Sequence, residues 1–356
     1  MTTARTARIA LLQLPAFAIE DAEASLAHTL RRIDEAARER PDLIALPEVT
    51  YPAYFLGTDD LSRCNVLSPA DAAAQIGAKA KEHGIYIAAG LALDAPGGRY
   101  SNGALLFGRD GSVVGRYDKS FLFHFDRRWF LPGDAFPVFE TDFGRVGMLV
   151  CADGRLPEIA RSLSLNGAQL ILDLTAWVST GRRPEDLTTI QVEFLMPTRA
   201  AENGVWVACC DKFGVEAESI VYAGRSRFID PRGQTVRELG PDEDATLVHE
   251  VPLADAAPRV IRRPEMYGVL TQPTESLPVT RTLDEPFVMS EHDHQVAVVQ
   301  TALPQTGSEF PAAARRHVER LALMDAELVV FPATPSRLRN DYAHDAVLRG
   351  IIDLAK

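Results

Sequence analysis

From Ile9 to about Pro252 the chain alternates short apolar, β-rich runs with amphipathic stretches at helical spacing, and this alternation limits the fold more than any other feature. The runs Ile9–Leu14, Leu43–Leu46, Ile85–Ala92, Gly103–Phe107, Val113–Tyr117, Val146–Cys151, Leu170–Leu174, Val205–Cys210 and Arg227–Ile229 read as strands. Between them, Asp21–Arg40 carries Leu26, Leu30, Ile33 and Ala37 on one helical face, and Ala70–His83 reads as a second helix. Leu156–Asn166 and Leu187–Asn203 are further helices, closed by Gly167 and Gly204. Arg109-Asp110-Gly111 and Asp230-Pro231-Arg232-Gly233 are turns, the former between two strands as in a hairpin. Strands and helices in this order predict an α/β fold.

After Pro252 the pattern stops. Pro258, Pro264, Pro273, Pro278 and Pro286 punctuate an aperiodic stretch that reads as an extended arm over 256–290. The opening pattern then returns. Ile9-Ala10-Leu11-Leu12-Gln13 matches Val296-Ala297-Val298-Val299-Gln300, and Leu43 to Pro47 matches Leu328 to Pro332, with a helix-like stretch, Ala312–Leu323, between. The shared Gln and Pro favour duplication over two unrelated strand–helix–strand units, so 291–356 is read as a partial second copy of a domain spanning 1–255. In that copy Ala333 stands where the first has Glu48.

Charge and cysteine usage narrow the function classes. A formal net charge of −12 argues against nucleic acid as a partner, since such proteins carry a basic stripe. No run approaches a membrane span, and Met1 to Arg8 lacks the apolar core of a secretory leader. The four cysteines, Cys64, Cys151, Cys209 and Cys210, form no C-x-x-C pair and no zinc spacing, so no zinc site is expected from them. A cytoplasmic, reduced setting follows, in which a free catalytic thiol survives.

Three residues end apolar strands and could carry chemistry. Cys151 closes Val146–Val150 and precedes a polar loop and a helix, where helix N–H groups favour a thiolate; taken alone it could equally be a buried structural cysteine. Glu48 follows Leu43–Pro47, and burial beside a thiol would make it a usable base, though a strand-end carboxylate can simply be solvated. Lys119 follows Tyr117-Asp118, and an ammonium there could meet a developing oxyanion or lie on the surface.

Together these residues and their neighbours resemble the nitrilase, or carbon–nitrogen hydrolase, superfamily. The matching segments are Leu46-Pro47-Glu48, Tyr117-Asp118-Lys119, Leu131-Pro132-Gly133-Asp134, Arg199 to Gly204 and Ala223 to Ser226. The most specific is Cys151-Ala152-Asp153-Gly154-Arg155-Leu156-Pro157-Glu158, in the pattern C-x-D-x-R-x-P-E. The resemblance runs from about Arg8 to about Leu253 and implies a four-layer α-β-β-α sandwich, a Glu48–Lys119–Cys151 triad, no cofactor, and a homo-oligomer built through the helix Leu156–Asn166 and the one after it. It also implies a mechanism in which Glu48 takes the thiol proton, Cys151 attacks, and Lys119 with the Ala152 N–H holds the oxyanion.

Many members add a second glutamate before the P-G pair; the matching position here is Asp126, seven residues before Gly133. Tyr54, His124 and Trp177 are candidate substrate contacts, Asp153, Arg155 and Glu158 candidate supports of the site, and Arg182 with Arg183 a surface pair that could meet a carboxylate. In true nitrilases Trp-Glu follows the nucleophile; here Ala152-Asp153 does, which favours linear amides releasing ammonia, with N-carbamoyl amides as the alternative. A non-catalytic interaction module is the reading from a different class, and retention of Glu48, Lys119 and Cys151 weighs against it.

Overall fold

The computed structural model describes residues 6–257 save Asp59, Phe125 and Thr180, residues 262–280, and two short strands nearer the C-terminus. The chain divides into two compact units, Met1–Arg262 and Arg263–Lys356.

In the first unit the strands are β1 (Thr6–Pro15), β2 (Leu43–Tyr51), β3 (Tyr86–Ala95), β4 (Arg99–Phe107) and β5 (Val113–Asp118). Then come β6 (Val138–Glu140), β7 (Arg145–Val150), β8 (Leu170–Leu174) and β9 (Trp206–Cys210). The last five are β10 (Lys212–Glu216), β11 (Ile220–Ala223), β12 (Arg227–Ile229), β13 (Thr235–Glu238) and β14 (Ala245–Pro252). The helices are α1 (Ala22–Ala37), α2 (Pro69–His83), α3 (Asp126–Trp129), α4 (Pro157–Leu165) and α5 (Met196–Asn203).

Two sheets form. One runs β11-β10-β1-β2-β3-β4-β5 with β14 antiparallel to β1; the other runs β13-β12-β9-β8-β7-β6. Period-two alternation assigns each strand face. Ile9 and Leu11 of β1 and Leu43 and Ala45 of β2 join the core between the sheets. Their neighbours Ala10, Leu12, Ile44 and Leu46 join a second core, against Leu26 and Ile33 of α1 and Ile76 and Ala80 of α2. On the far side Ile159, Ala160 and Leu163 of α4 and Met196 and Ala200 of α5 pack on the second sheet. Strands buried on both faces have to be largely apolar, which is why β1, β2 and β8 carry apolar runs broken only by single polar residues such as Gln13, Glu48 and Asp173. The result is the expected four-layer α-β-β-α sandwich.

Local signals account for several boundaries. Ser68 caps α2 by accepting from the Asp71 N–H, Pro69 occupies the first turn, and Gly84 ends the helix in the left-handed region at φ +63°. Gly204 ends α5 in the same way, at φ +62°. The helix expected over Leu187–Asn203 is shorter. Residues 187–189 are not helical, Gln191–Leu195 form a π-helical turn, and α-helix begins at Met196. Pro197 has no N–H to continue an α ladder from the preceding turn, and the wider π turn accommodates the break.

In the second unit, Pro264–Met266, Gly268–Thr271 and Thr274–Ser276 are short 3-10 turns in a mostly exposed stretch. Strands β15 (Val296–Val298) and β16 (Leu328–Val330) pair in parallel. Val296 faces Leu328, Ala297 faces Val329 and Val298 faces Val330, while in the first unit Ile9 faces Leu43, Ala10 faces Ile44 and Leu11 faces Ala45. The two registers agree position for position under the sequence match. The helix-like stretch Ala312–Leu323 and Ala333 lie outside the described residues.

Candidate active site

The three sequence candidates come together, Lys119 and Cys151 just beyond strand ends as expected and Glu48 inside β2, which runs on to Tyr51 past an irregularity in its pairing with β3. Glu48 sits in β2, beneath which Gly90 of β3 lets the backbones approach: a Cβ at Gly90 would lie 2.3 Å from the Pro47 carbonyl oxygen and 2.7 Å from Glu48 Cα. Lys119 follows β5, its N–H donating to the Asn102 carbonyl of β4 and its carbonyl accepting from Gly133. Cys151 opens a 3-10 turn, Cys151–Arg155, directly after β7.

Lys119 Nζ lies 2.6 Å from Glu48 Oε1 and 2.6 Å from Asp126 Oδ2, and all three side chains are fully buried. Asn102 Nδ2 donates to the same Glu48 oxygen at 2.6 Å. Asp126, at the start of α3, also accepts from the Phe123 N–H at 3.1 Å, so the shorter side chain reaches Lys119 without difficulty. The second oxygens of Glu48 and Asp126 have no hydrogen-bond partner among the described residues.

Charge follows from this geometry. Burial raises the Glu48 carboxyl above its ordinary value, the Asp126 charge adds to this, and Lys119 opposes it. Burial alone would lower Lys119, but the carboxylates of Glu48 and Asp126 outweigh it and hold the ammonium well above the usual lysine range. Burial and the Glu48 charge push the Cys151 thiol well up, with Lys119 pulling the other way. Cys151 is thus held as a thiol, and the Glu48 carboxyl beside it is more basic than a solvated glutamate.

Other sequence candidates fall into two groups. Tyr54 and Ala152 belong to the site. Tyr54 is fully buried, its ring 5.8 Å from Lys119 Nζ, and after burial the charges of Asp126, Glu48 and Cys151 raise its hydroxyl. Ala152 lies in the first turn of the 3-10 helix, where amide N–H groups lack intrahelical partners. Trp177 is buried in the core, its N–H donating to Asp211 at 2.8 Å, and its neighbour Ala176 presents a carbonyl 3.9 Å from Cys151 Sγ. His124 is exposed, stacked edgewise on Phe123 at 4.1 Å. Arg182 and Arg183 are exposed, Arg183 pairing with Glu185 and Asp186.

The supporting residues differ from expectation in part. Asp153 is a hub: it accepts from the Val150 and Phe121 N–H groups and from Tyr117 Oη, tying the Cys151 turn to the Lys119 loop. Arg155 braces the turn through Gln191 Oε1 at 3.1 Å and the Phe123 ring at 4.6 Å, not through a carboxylate. Glu158 is exposed in the first turn of α4, where its charge favours the helix N-terminus.

Several contributors were not singled out from sequence. Asn102 Nδ2 donates to Glu48; Asp173 Oδ1 accepts the Cys151 N–H at 2.8 Å; Lys212 Nζ donates to the carbonyl of Val49 at 2.8 Å, just after Glu48, where φ is +35°. A signal existed for two of them. Asp173 is a carboxylate inside the apolar run Leu170–Leu174, and Asn102 is a polar residue directly before the apolar run Gly103–Phe107.

Residues 8–259 match the carbon–nitrogen hydrolase family. An omega-amidase of Mus musculus is 30% identical over 249 residues, covering 67% of this chain and 86% of the relative. A probable nitrilase of Schizosaccharomyces pombe is 32% identical over 157 residues, 44% of this chain and 55% of the relative, so the match spans about half of that relative's length. Among solved structures, a mutant of a Nesterenkonia amidase from the nitrilase superfamily superposes with a TM-score of 0.65 at 26% identity, over 75% of this chain and 98% of that one. A further structure of that amidase is described as carrying the acetamide moiety of fluoroacetamide added covalently at its active site cysteine.

Proposed function

The chain belongs to the carbon–nitrogen hydrolase family, and from that premise we propose that it hydrolyses a linear amide to a carboxylic acid and ammonia through a thioester on Cys151. The observation that carries this reading is the buried cluster in which one ammonium, Lys119, bridges two carboxylates beside a thiol. Glu48 accepts the Cys151 proton, and the thiolate adds to the amide carbonyl carbon. Lys119 Nζ and the Ala152 N–H carry the oxyanion. The intermediate collapses as Glu48 returns the proton to nitrogen, ammonia leaves, and the thioester remains. Glu48 then takes a proton from water, hydroxide adds to the thioester, and collapse expels the Cys151 thiolate with the acid. Asp126 shares the Lys119 charge and fixes its position. Tyr54 lines the same buried space, and no step calls for a metal or organic cofactor.

The Ala152-Asp153 pair after the nucleophile supports an amide over a nitrile, and the similarity to amidases agrees with it. A working thiol has to stay reduced, which fits a cytoplasmic setting; no helix among the described residues is long and apolar enough to cross a membrane. We also propose self-association through the face of α4 and the Gln191–Asn203 segment, where Leu165, Ile190 and Phe194 are exposed. The tail, in turn, is proposed to be a partial second copy, supported by the register shared by β15–β16 and β1–β2.

The test is ammonia release from a panel of aliphatic and aromatic amides, N-carbamoyl amino acids and nitriles, with Cys151→Ala beside the parent. Release by the parent alone, greatest on amides, is expected. Preference for N-carbamoyl compounds would replace the substrate class. Silence across the panel, with a Cys151 that resists iodoacetamide, would favour a non-catalytic module.

A further inference from the structure

Cys151 holds φ at +49° without being glycine. Such a backbone is strained and persists only where its surroundings impose it. Both of its main-chain polar groups are taken by buried side chains from outside the turn. The N–H donates to Asp173 Oδ1 of β8 at 2.8 Å, and the carbonyl accepts from Gln191 Nε2 at 2.7 Å. Asp173 is fully buried and Gln191 is 2% exposed.

Gln191 is itself held. Its own carbonyl accepts from Arg155 Nε, whose guanidinium lies over Phe123. It opens the π-helical turn, a distortion that re-aims side chains and often accompanies function. Gly154 leaves the room required: a Cβ there would meet Met196 Sδ at 2.6 Å and Gln191 Nε2 at 3.4 Å.

We propose that Gln191 is the positioning residue of the nucleophile: its amide holds the Cys151 carbonyl and, opposite Asp173 on the N–H, keeps the left-handed turn that presents Sγ to a substrate carbonyl carbon and the Ala152 N–H to the oxygen of the same group. The role rests on the amide-hydrolase reading for its catalytic meaning, but the geometry it maintains can be probed without a substrate. Gln191 bonds the Cys151 main chain and the Arg155 side chain, so its loss is expected to slow acylation and leave ground-state binding in place.

The experiment uses Gln191→Met, which keeps length and volume but cannot donate, and Gln191→Glu, which donates only while protonated. Each is compared with the full-length parent for kcat and KM on the best amide of the panel, and for the rate of Cys151 alkylation by iodoacetamide. For Gln191→Met a ~10- to ~100-fold fall in kcat is expected, as for a buried carbonyl left unpaired, with KM within about 2-fold. Alkylation slows in parallel. Gln191→Glu is expected to keep more activity at acid pH and to lose it as pH rises, giving a limb the parent lacks. A Gln191→Met enzyme with kcat and alkylation within about 2-fold of the parent overturns the proposal, as does a Gln191→Glu profile parallel to the parent's. Should Gln191→Met fail to fold, the Gln191→Glu profile decides. Should the parent cleave no amide, the functional reading falls while the alkylation comparison still decides on Gln191.

Discussion

Replacing Glu48 by glutamine removes the proton acceptor and leaves its shape. Oε1 accepts from Lys119 Nζ and Asn102 Nδ2 at 2.6 Å each, and the glutamine carbonyl can accept both. Lys119 keeps Asp126 as its counter-charge. What disappears is the oxygen that can hold a proton. A positioned base contributes roughly 10²–10⁴-fold. Glu48 is used twice, on the thiol and on water, so the fall in kcat/KM is placed at ~10³–10⁴-fold, about 4–5.5 kcal/mol. Stability moves the other way. Burial raises the Glu48 pKa, so ionising it costs more in the folded chain than in the unfolded one. A carboxyl raised in this way stabilises most fully while protonated, and that contribution is lost as pH rises through its folded pKa. Glutamine mimics the protonated form. Its Tm therefore exceeds the parent's at neutral pH, and the gap closes as pH falls below the ordinary glutamate value of 4.5. Ammonia release and thermal unfolding across the acid and neutral range measure both arms. Activity within about 10-fold of the parent, or a lower Tm at neutral pH, would refute the assignment of Glu48 as a base held against its preferred charge.

Four further outcomes are expected. The acid limb of kcat/KM for the parent lies above 4.5, because Glu48 has to be ionised to act, and Lys119, held well above 10.5, adds no limb near neutrality; a pH–rate profile checks both. Lys119→Met strands two buried carboxylates, so chemical denaturation should record a loss of about 3–5 kcal/mol, and turnover should fall ~10²–10³-fold; unchanged turnover would remove Lys119 from the oxyanion role. Gly90→Ala pushes a methyl into the Pro47 carbonyl and displaces Glu48, so kcat should drop ~10- to ~100-fold in a steady-state assay, whereas parent-like kinetics would mean β2 yields without moving the base. Deleting everything after Ser290 should leave amide hydrolysis within about 2-fold, since residues 8–259 carry the whole family match; lost solubility or activity would make the tail integral.

The sandwich was legible because burial on both faces forces it into composition. Strands such as β1, β2 and β8 can contain almost nothing but apolar residues, and the helices between them have to present one apolar stripe. Glu48, Lys119 and Cys151 were legible for a related reason: polar residues at the ends of apolar strands are where such a fold opens toward a ligand. Asp126 was legible only through its spacing to Gly133, and the structure brings it to Lys119.

Sequence by itself determined the α/β order and the family motifs that hold Glu48, Lys119 and Cys151, since each is a local pattern of residue types. Tertiary structure alone decided what surrounds them. Gln191 reaches Cys151 from 40 positions away, Asn102 reaches Glu48 from 54, and Lys212 reaches Val49 from 163. No local pattern encodes such contacts, because they depend on which strands become neighbours and on a π turn that re-aims one amide. The same packing raised the Glu48 carboxyl, the Lys119 ammonium and the Cys151 thiol above their ordinary values. Desolvation and mutual charge act only once the sheets have closed over all three.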